Sequence, residues 1–96
     1  MTDPKQQLDD VEAVFHALAH ASRRHILLVL HFRGGSMTAG EIAARFDCSW
    51  PTTTRHLNVL LEAGLVHREH EGRRRIYRLD RVRLREVTSS WLANFG

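Results

Sequence analysis

The apolar residues of this chain switch period at Gly64, and that switch leaves few folds open. Before it, Val11, Val14, Phe15 and Leu18 recur at helical spacing, as do Ile26, Leu27 and Leu30. After it, Leu65 to His70 and Arg73 to Leu79 alternate with a period of two about Glu71-Gly72, a hairpin turn signal. From Asp80 the helical period returns through Leu84, Val87, Trp91, Leu92 and Phe95. One hairpin set among helices predicts a mainly α chain with a β-hairpin (α+β), in the order ααααββα. At 96 residues there is room for one domain.

Local signals set the boundaries. Residues 1–8 are polar and are expected to be a flexible N-terminus, with the domain proper at 9–96. Asp9, Asp10 and Glu12 suit the positive end of a first helix over 9–19. Ala21-Ser22 breaks the chain and caps a second helix, which ends at Gly34-Gly35. Ser36-Met37-Thr38 reads either as a small strand or as a cap. Thr38 with Glu41 spells a capping box for a third helix over Ala39–Phe46, with Ile42, Ala43 and Phe46 inward. Asp47-Cys48-Ser49 is a tight turn, Ser49 caps a fourth helix and Pro51 lies in its first turn. Thr53, Leu57, Leu60 and Leu61 form that helix's inner stripe, and Gly64 closes it.

Two short helices across a tight turn, followed by a hairpin, make a winged helix-turn-helix. The major groove of DNA admits one helix, braced by the helix before it, while the hairpin reaches the neighbouring backbone. The recognition helix, about 49–63, offers Ser49, Trp50, Pro51, Thr52, Thr54, Arg55 and His56; the wing, about 65–79, offers Arg68, Arg73, Arg74 and Arg75. Charge agrees. The net charge is +3, yet residues 1–48 carry −1 (five basic, six acidic) and residues 49–96 carry +4 (nine basic, five acidic). Thirteen of the 14 basic residues are arginine, whose planar fork suits phosphate and guanine. Trp50 either packs on a thymine methyl or sugar, or props its helix against the third; Arg55 either reads a base or clamps a phosphate.

Ala17-Leu18-Ala19-His20-Ala21-Ser22-Arg23-Arg24, Ser49-Trp50-Pro51-Thr52-Thr53-Thr54-Arg55-His56-Leu57, Glu62-Ala63-Gly64-Leu65-Val66 and Glu71-Gly72-Arg73-Arg74 resemble, in that order, motifs of ArsR/SmtB-type transcriptional regulators. The resemblance spans residues 11–80. It implies a homodimeric repressor that binds double-stranded DNA at an inverted repeat, with residues 9–19 and 80–95 as dimerisation helices. Val11, Val14, Phe15, Leu18, Leu84, Val87, Trp91 and Phe95 are the implied interface. The stripe Leu84, Val87, Trp91 and Phe95 supports this independently, since it is large for a terminal helix.

Departures narrow the sensing chemistry. The family's cysteine pair on the third helix is missing, and the last helix has Asp80 and Glu86 but no histidine. No metal site and no cofactor are expected, and no effector is specified. His16 and His20 stand four apart, a pair where zinc needs three or four ligands. His25 and His31 are expected between helices. The one cysteine, Cys48, either has an activated thiol beside a helix N-terminus or is an inert filler. Arg23 and Arg24 are assigned an ion pair and a phosphate contact; Arg81, Arg83 and Arg85 look to Glu86 or flanking DNA.

No run approaches a membrane span and the N-terminus has no secretory pattern, so a cytoplasmic protein is expected. No enzyme signature is present. The alternative to a repressor is a winged-helix protein-interaction module without specific DNA binding.

Overall fold

The structure, a computed structural model, describes residues 3–46 and 49–96. In chain order come α1 (Pro4–Leu18), α2 (Ala21–Phe32), β1 (Ser36–Thr38), α3 (Ala39–Arg45), α4 (Trp50–Glu62), β2 (Val66–Glu71), β3 (Arg74–Leu79), α5 (Arg81–Leu92) and a short 3-10 turn at Ala93–Phe95. The mainly α winged-helix order stands, with one addition: β1 makes the wing a three-stranded antiparallel sheet in the order β1-β3-β2.

Ser36-Met37-Thr38 is both things its sequence allowed. Met37 pairs with Tyr77 on β3, while Thr38 Oγ1 accepts from the Glu41 N–H at 3.1 Å. Glu41 Oε1 in turn accepts from the Thr38 N–H at 3.0 Å, which closes the capping box. The hydrogen bonds from Thr38, aided by Arg33 and Arg74, hold the Glu41 carboxyl below its ordinary range.

Two boundaries differ from expectation. α1 begins at Pro4, inside the segment assigned to a flexible terminus. The Asp3 side chain accepts from the Lys5 N–H, and Pro4 stands where a missing N–H is harmless, so local capping starts the helix before any apolar residue does. Asp9, Asp10 and Glu12 therefore fall in the body of α1, not in its first turn. The hairpin turn is Gly72-Arg73, one residue later than the Glu71-Gly72 signal, because Glu71 pairs with Arg74. Gly72 has φ +63° and Arg73 no positive φ, which makes glycine the first central residue of a II′-type turn.

The core gathers Val14 and Ala17 of α1, Ile26 and Leu30 of α2, Ile42 of α3, Leu57 and Leu60 of α4, and Leu65, Val66 and Tyr77 from the wing. Val14 is completely buried there, so it is a core residue and not one of the interface. Leu61, Ala43 and Phe46 are only half-buried. No helix among the described residues is long and apolar enough to cross a membrane.

Arg83 ties three helices together. Its Nε donates to the Ala63 carbonyl at 2.8 Å, and its terminal nitrogen meets Asp10 at 3.2 Å, so Asp10 and a helix end take the place of Glu86. The Asp10 carboxyl is held low by hydrogen bonds from Gln6 and Arg83. Gly64, at φ +75°, leaves room for this arginine: an added Cβ would stand 2.5 Å from Arg83 Nε. Gly64→Ala should therefore lower stability by about 2 kcal/mol, from left-handed strain plus the displaced guanidinium. Urea denaturation at neutral pH would measure it.

Candidate nucleic-acid interface

The start of α4 spends most of its hydroxyls on itself. Ser49 Oγ accepts from the Thr52 N–H at 3.3 Å and donates to Thr52 Oγ1 at 2.9 Å. Thr53 is buried and donates its hydroxyl to the Ser49 carbonyl at 3.1 Å. Thr54 is half-buried. Pro51, Arg55 and Asn58 are exposed at the spacing of one helix face. Asn58 is absent from the sequence-derived site, although its place one turn beyond Arg55 was a usable signal.

In the wing, cross-strand partners share a face. Val66 with Leu79, Arg68 with Tyr77 and His70 with Arg75 form one; His67 with Arg78, Glu69 with Ile76 and Glu71 with Arg74 form the other. The first face runs from the core outward to Arg68 and Arg75. On the second, Arg78 grips Glu69 with two bonds of 3.1 and 3.2 Å, which lowers the Glu69 pKa and raises that of Arg78. Arg78 is thereby engaged. Among the described residues, Arg55, Arg68, Arg73 and Arg75 have no carboxylate partner.

Trp50 joins wing to helix, and does so in neither way its position suggested. The Arg75 guanidinium lies 5.7 Å from the centroid of its ring, a cation–π contact. Trp50 remains 43% exposed and borders a shallow hollow shared with Ala39, Gly40 and Arg73. One surface thus contains the outer face of α4 and the arginines of the wing tip.

A helix-turn-helix domain model matches residues 18–69, from the end of α1 into β2. The chain is 38% identical over 82 residues to the transcriptional repressor SdpR of Bacillus subtilis, covering 85% of this chain and 88% of that one. The chain belongs to the ArsR/SmtB-type winged helix-turn-helix regulators. A crystal structure of an ArsR family transcriptional regulator superposes with a TM-score of 0.79 at 30% identity, over 98% of this chain and 91% of that one. The homodimeric winged helix-turn-helix DNA-binding domain of a Mycobacterium bovis protein gives a TM-score of 0.76 at 29% identity, over 98% and 87%.

This ArsR-type chain builds the joint between α1, α2 and α4 from cations and carbonyls. His56, counted with the groove-facing residues, instead points inward and is 7% exposed. Its ring lies 4.5 Å from that of His20, and its Nδ1 lies 3.3 Å from an Arg23 terminal nitrogen. Arg23 also donates to the Ala17 carbonyl at 2.7 Å and the His16 carbonyl at 3.0 Å; Arg24 donates to the Leu18 carbonyl at 2.8 Å. Both arginines close the open end of α1, so neither takes an ion pair. His20 caps α2, accepting from the Ser22 N–H at 3.2 Å, and lies beyond the helix that bears His16. The pair therefore does not share a helix face. Among the described residues no group of three or more His, Cys, Asp or Glu could hold a metal ion. His25 and His31 are exposed, not sandwiched; Arg81 donates to His31 Nδ1 at 3.1 Å. Cys48 and Asp47 lie outside the described residues.

Burial pushes the His56 pKa down, and His20, Arg23 and Arg55 push the same way. The unfolded chain then takes up this proton before the folded one does. Stability is fully present above the ordinary histidine range and falls as pH drops through about 6.5. Asp80, held low mainly by the Arg83 N–H and His67, loses its contribution only in the carboxylate range. Urea midpoints between pH 7 and 5 should fall for the natural chain and flatten for His56→Gln.

The α1 and α5 surface is aromatic. Phe15 meets Trp91 edge-on at 5.1 Å between centroids, and Trp91 meets Phe95 at 5.0 Å. Leu18, Leu84 and Val87 are half-buried against the core, and Val11 is half-buried as well. Exposure concentrates at Leu8, Phe15, Trp91, Leu92 and Phe95, of which Leu8 and Leu92 were not in the expected interface.

Proposed function

We propose that this chain is a cytoplasmic, non-enzymatic homodimeric repressor that binds an inverted-repeat operator in double-stranded DNA. α4 enters the major groove, presenting Pro51, Thr54, Arg55 and Asn58, with Ser49 and Thr52 ordering its first turn. Arg68, Arg73, Arg74 and Arg75 meet the flanking backbone. The observation that carries this is the continuity of the outer α4 face with unpaired wing arginines through the Trp50–Arg75 contact. Repression and dimer formation are supported by the relatives' descriptions as a transcriptional repressor and as a homodimeric DNA-binding domain. The partner copy docks on Phe15, Trp91, Leu92 and Phe95, which sets two α4 helices about 34 Å apart along one DNA face.

Fluorescence anisotropy with DNA from upstream of the protein's own gene tests this. The expected result is binding well above that of random DNA, weakening steeply with salt. Absence of even nonspecific binding at low salt would overturn it and favour a protein-interaction module.

A further inference from the structure

A second apolar surface lies away from the α1–α5 aromatic cluster. Leu27 and Leu28 of α2, Leu79 of β3 and Leu84 of α5 wall a groove of about 310 Å³. That size falls in the range of small-molecule sites, and so does the lining, mostly apolar with a few polar groups at one edge. The groove is open for use: Leu28 is 52% exposed, and Phe32 and Val82 stand exposed close by in sequence.

Its polar edge has one sign. Arg81 and Arg85 are one turn apart on α5, and His31 faces them from α2; no carboxylate lines the groove. Arg81 commits Nε and one terminal nitrogen to His31, at 3.1 and 3.4 Å, and this fixes its guanidinium at the rim. Arg85 has no hydrogen-bond partner among the described residues. A fixed cation and a free one above an aliphatic wall complement an apolar tail ending in an anionic group.

We propose that the α2–α5 groove binds a small anionic amphiphile, a medium-length aliphatic carboxylate, with its tail on Leu27, Leu28 and Leu84 and its carboxylate on Arg85 and Arg81. The site needs no DNA and does not depend on the repressor reading. It joins α2, which packs on the DNA-facing helix, to α5, which bears the aromatic surface, so occupancy reaches both.

The test uses the full chain without DNA, followed by amide NMR while octanoate is added below its micelle concentration. Saturable shifts should centre on Leu28, His31, Leu84 and Arg85. Octanol, with the same tail and no charge, should bind at least tenfold more weakly. Arg85→Glu should cut octanoate affinity at least tenfold and leave the weak octanol binding in place, which separates removal of the anion's partner from a damaged fold. The proposal falls if no saturable shift appears, if octanol binds as well as octanoate, or if the shifts centre on Phe15 and Trp91. It also falls if Leu28→Glu converts a dimer to monomer in sedimentation, since a second copy would then fill the groove.

Discussion

Replacing Arg55 and Arg75 together with glutamate is expected to abolish operator recognition while the domain stays folded. Neither side chain has a carboxylate partner among the described residues, and Arg55 is exposed on the outer face of α4. Losing one good arginine bond to a base costs about 1–3 kcal/mol, and each reversal adds repulsion from phosphate. A dimer carries both changes twice. Affinity should drop at least about 100-fold, and the slope of log affinity against log salt should flatten by about 0.9 for each phosphate that is no longer neutralised. Arg75→Lys separates charge from stacking. It keeps the cation and loses the flat guanidinium over Trp50, so it should weaken binding less and leave the salt slope nearly unchanged. The melting temperature of the double variant should match that of the parent, because surface changes without partners move stability by no more than about 0.5 kcal/mol. Unchanged affinity in the double variant would refute the assignment of this surface to DNA.

What could be read from residues alone follows the range of the interactions involved. Ser49, Pro51 and Gly64 mark the ends of α4 because caps and turns are written within four residues. The inward stripe of Thr53, Leu57 and Leu60 follows from the helical period alone. His56 breaks that logic. It lies on the edge of the stripe, and only the approach of His20 and Arg23 from 33 to 36 positions away turns it inward. Val14 likewise belongs to a continuous apolar face of α1, and which part of that face meets the core depends on where α5 crosses it. The Trp50–Arg75 contact joins residues 25 apart and exists because the hairpin folds back toward the start of α4. The turn at Gly72-Arg73 shows the same limit at short range. Glu71-Gly72 and Gly72-Arg73 are both acceptable dipeptides, and the pairing of Val66 with Leu79 at the other end of the hairpin decides between them. Motif and cap signals thus located the site's elements, whereas the side chains each element turns toward DNA depended on tertiary packing.

The double substitution Leu92→Glu with Phe95→Glu should convert the protein to a folded monomer that no longer holds its operator. These residues are 59% and 73% exposed, so burying them against a partner removes apolar surface that the isolated chain leaves wet. Charges placed there cost the monomer little, because Trp91 still packs edge-on against Phe15 and none of the core residues is touched. In a symmetric dimer each charge would meet its own kind or an apolar wall, so the interface loses twice. Sedimentation at micromolar concentration should show a single species of half the parent's mass, with an unaltered circular dichroism spectrum. Operator affinity should fall by about 100-fold or more, because the second half-site is no longer presented at high effective concentration. Binding to random DNA at low salt should change far less, since each monomer keeps Arg55 and the wing arginines. A variant that remains dimeric would move the interface off this aromatic surface, and a monomer that still binds the full operator with parental affinity would show that the two half-sites are not read together.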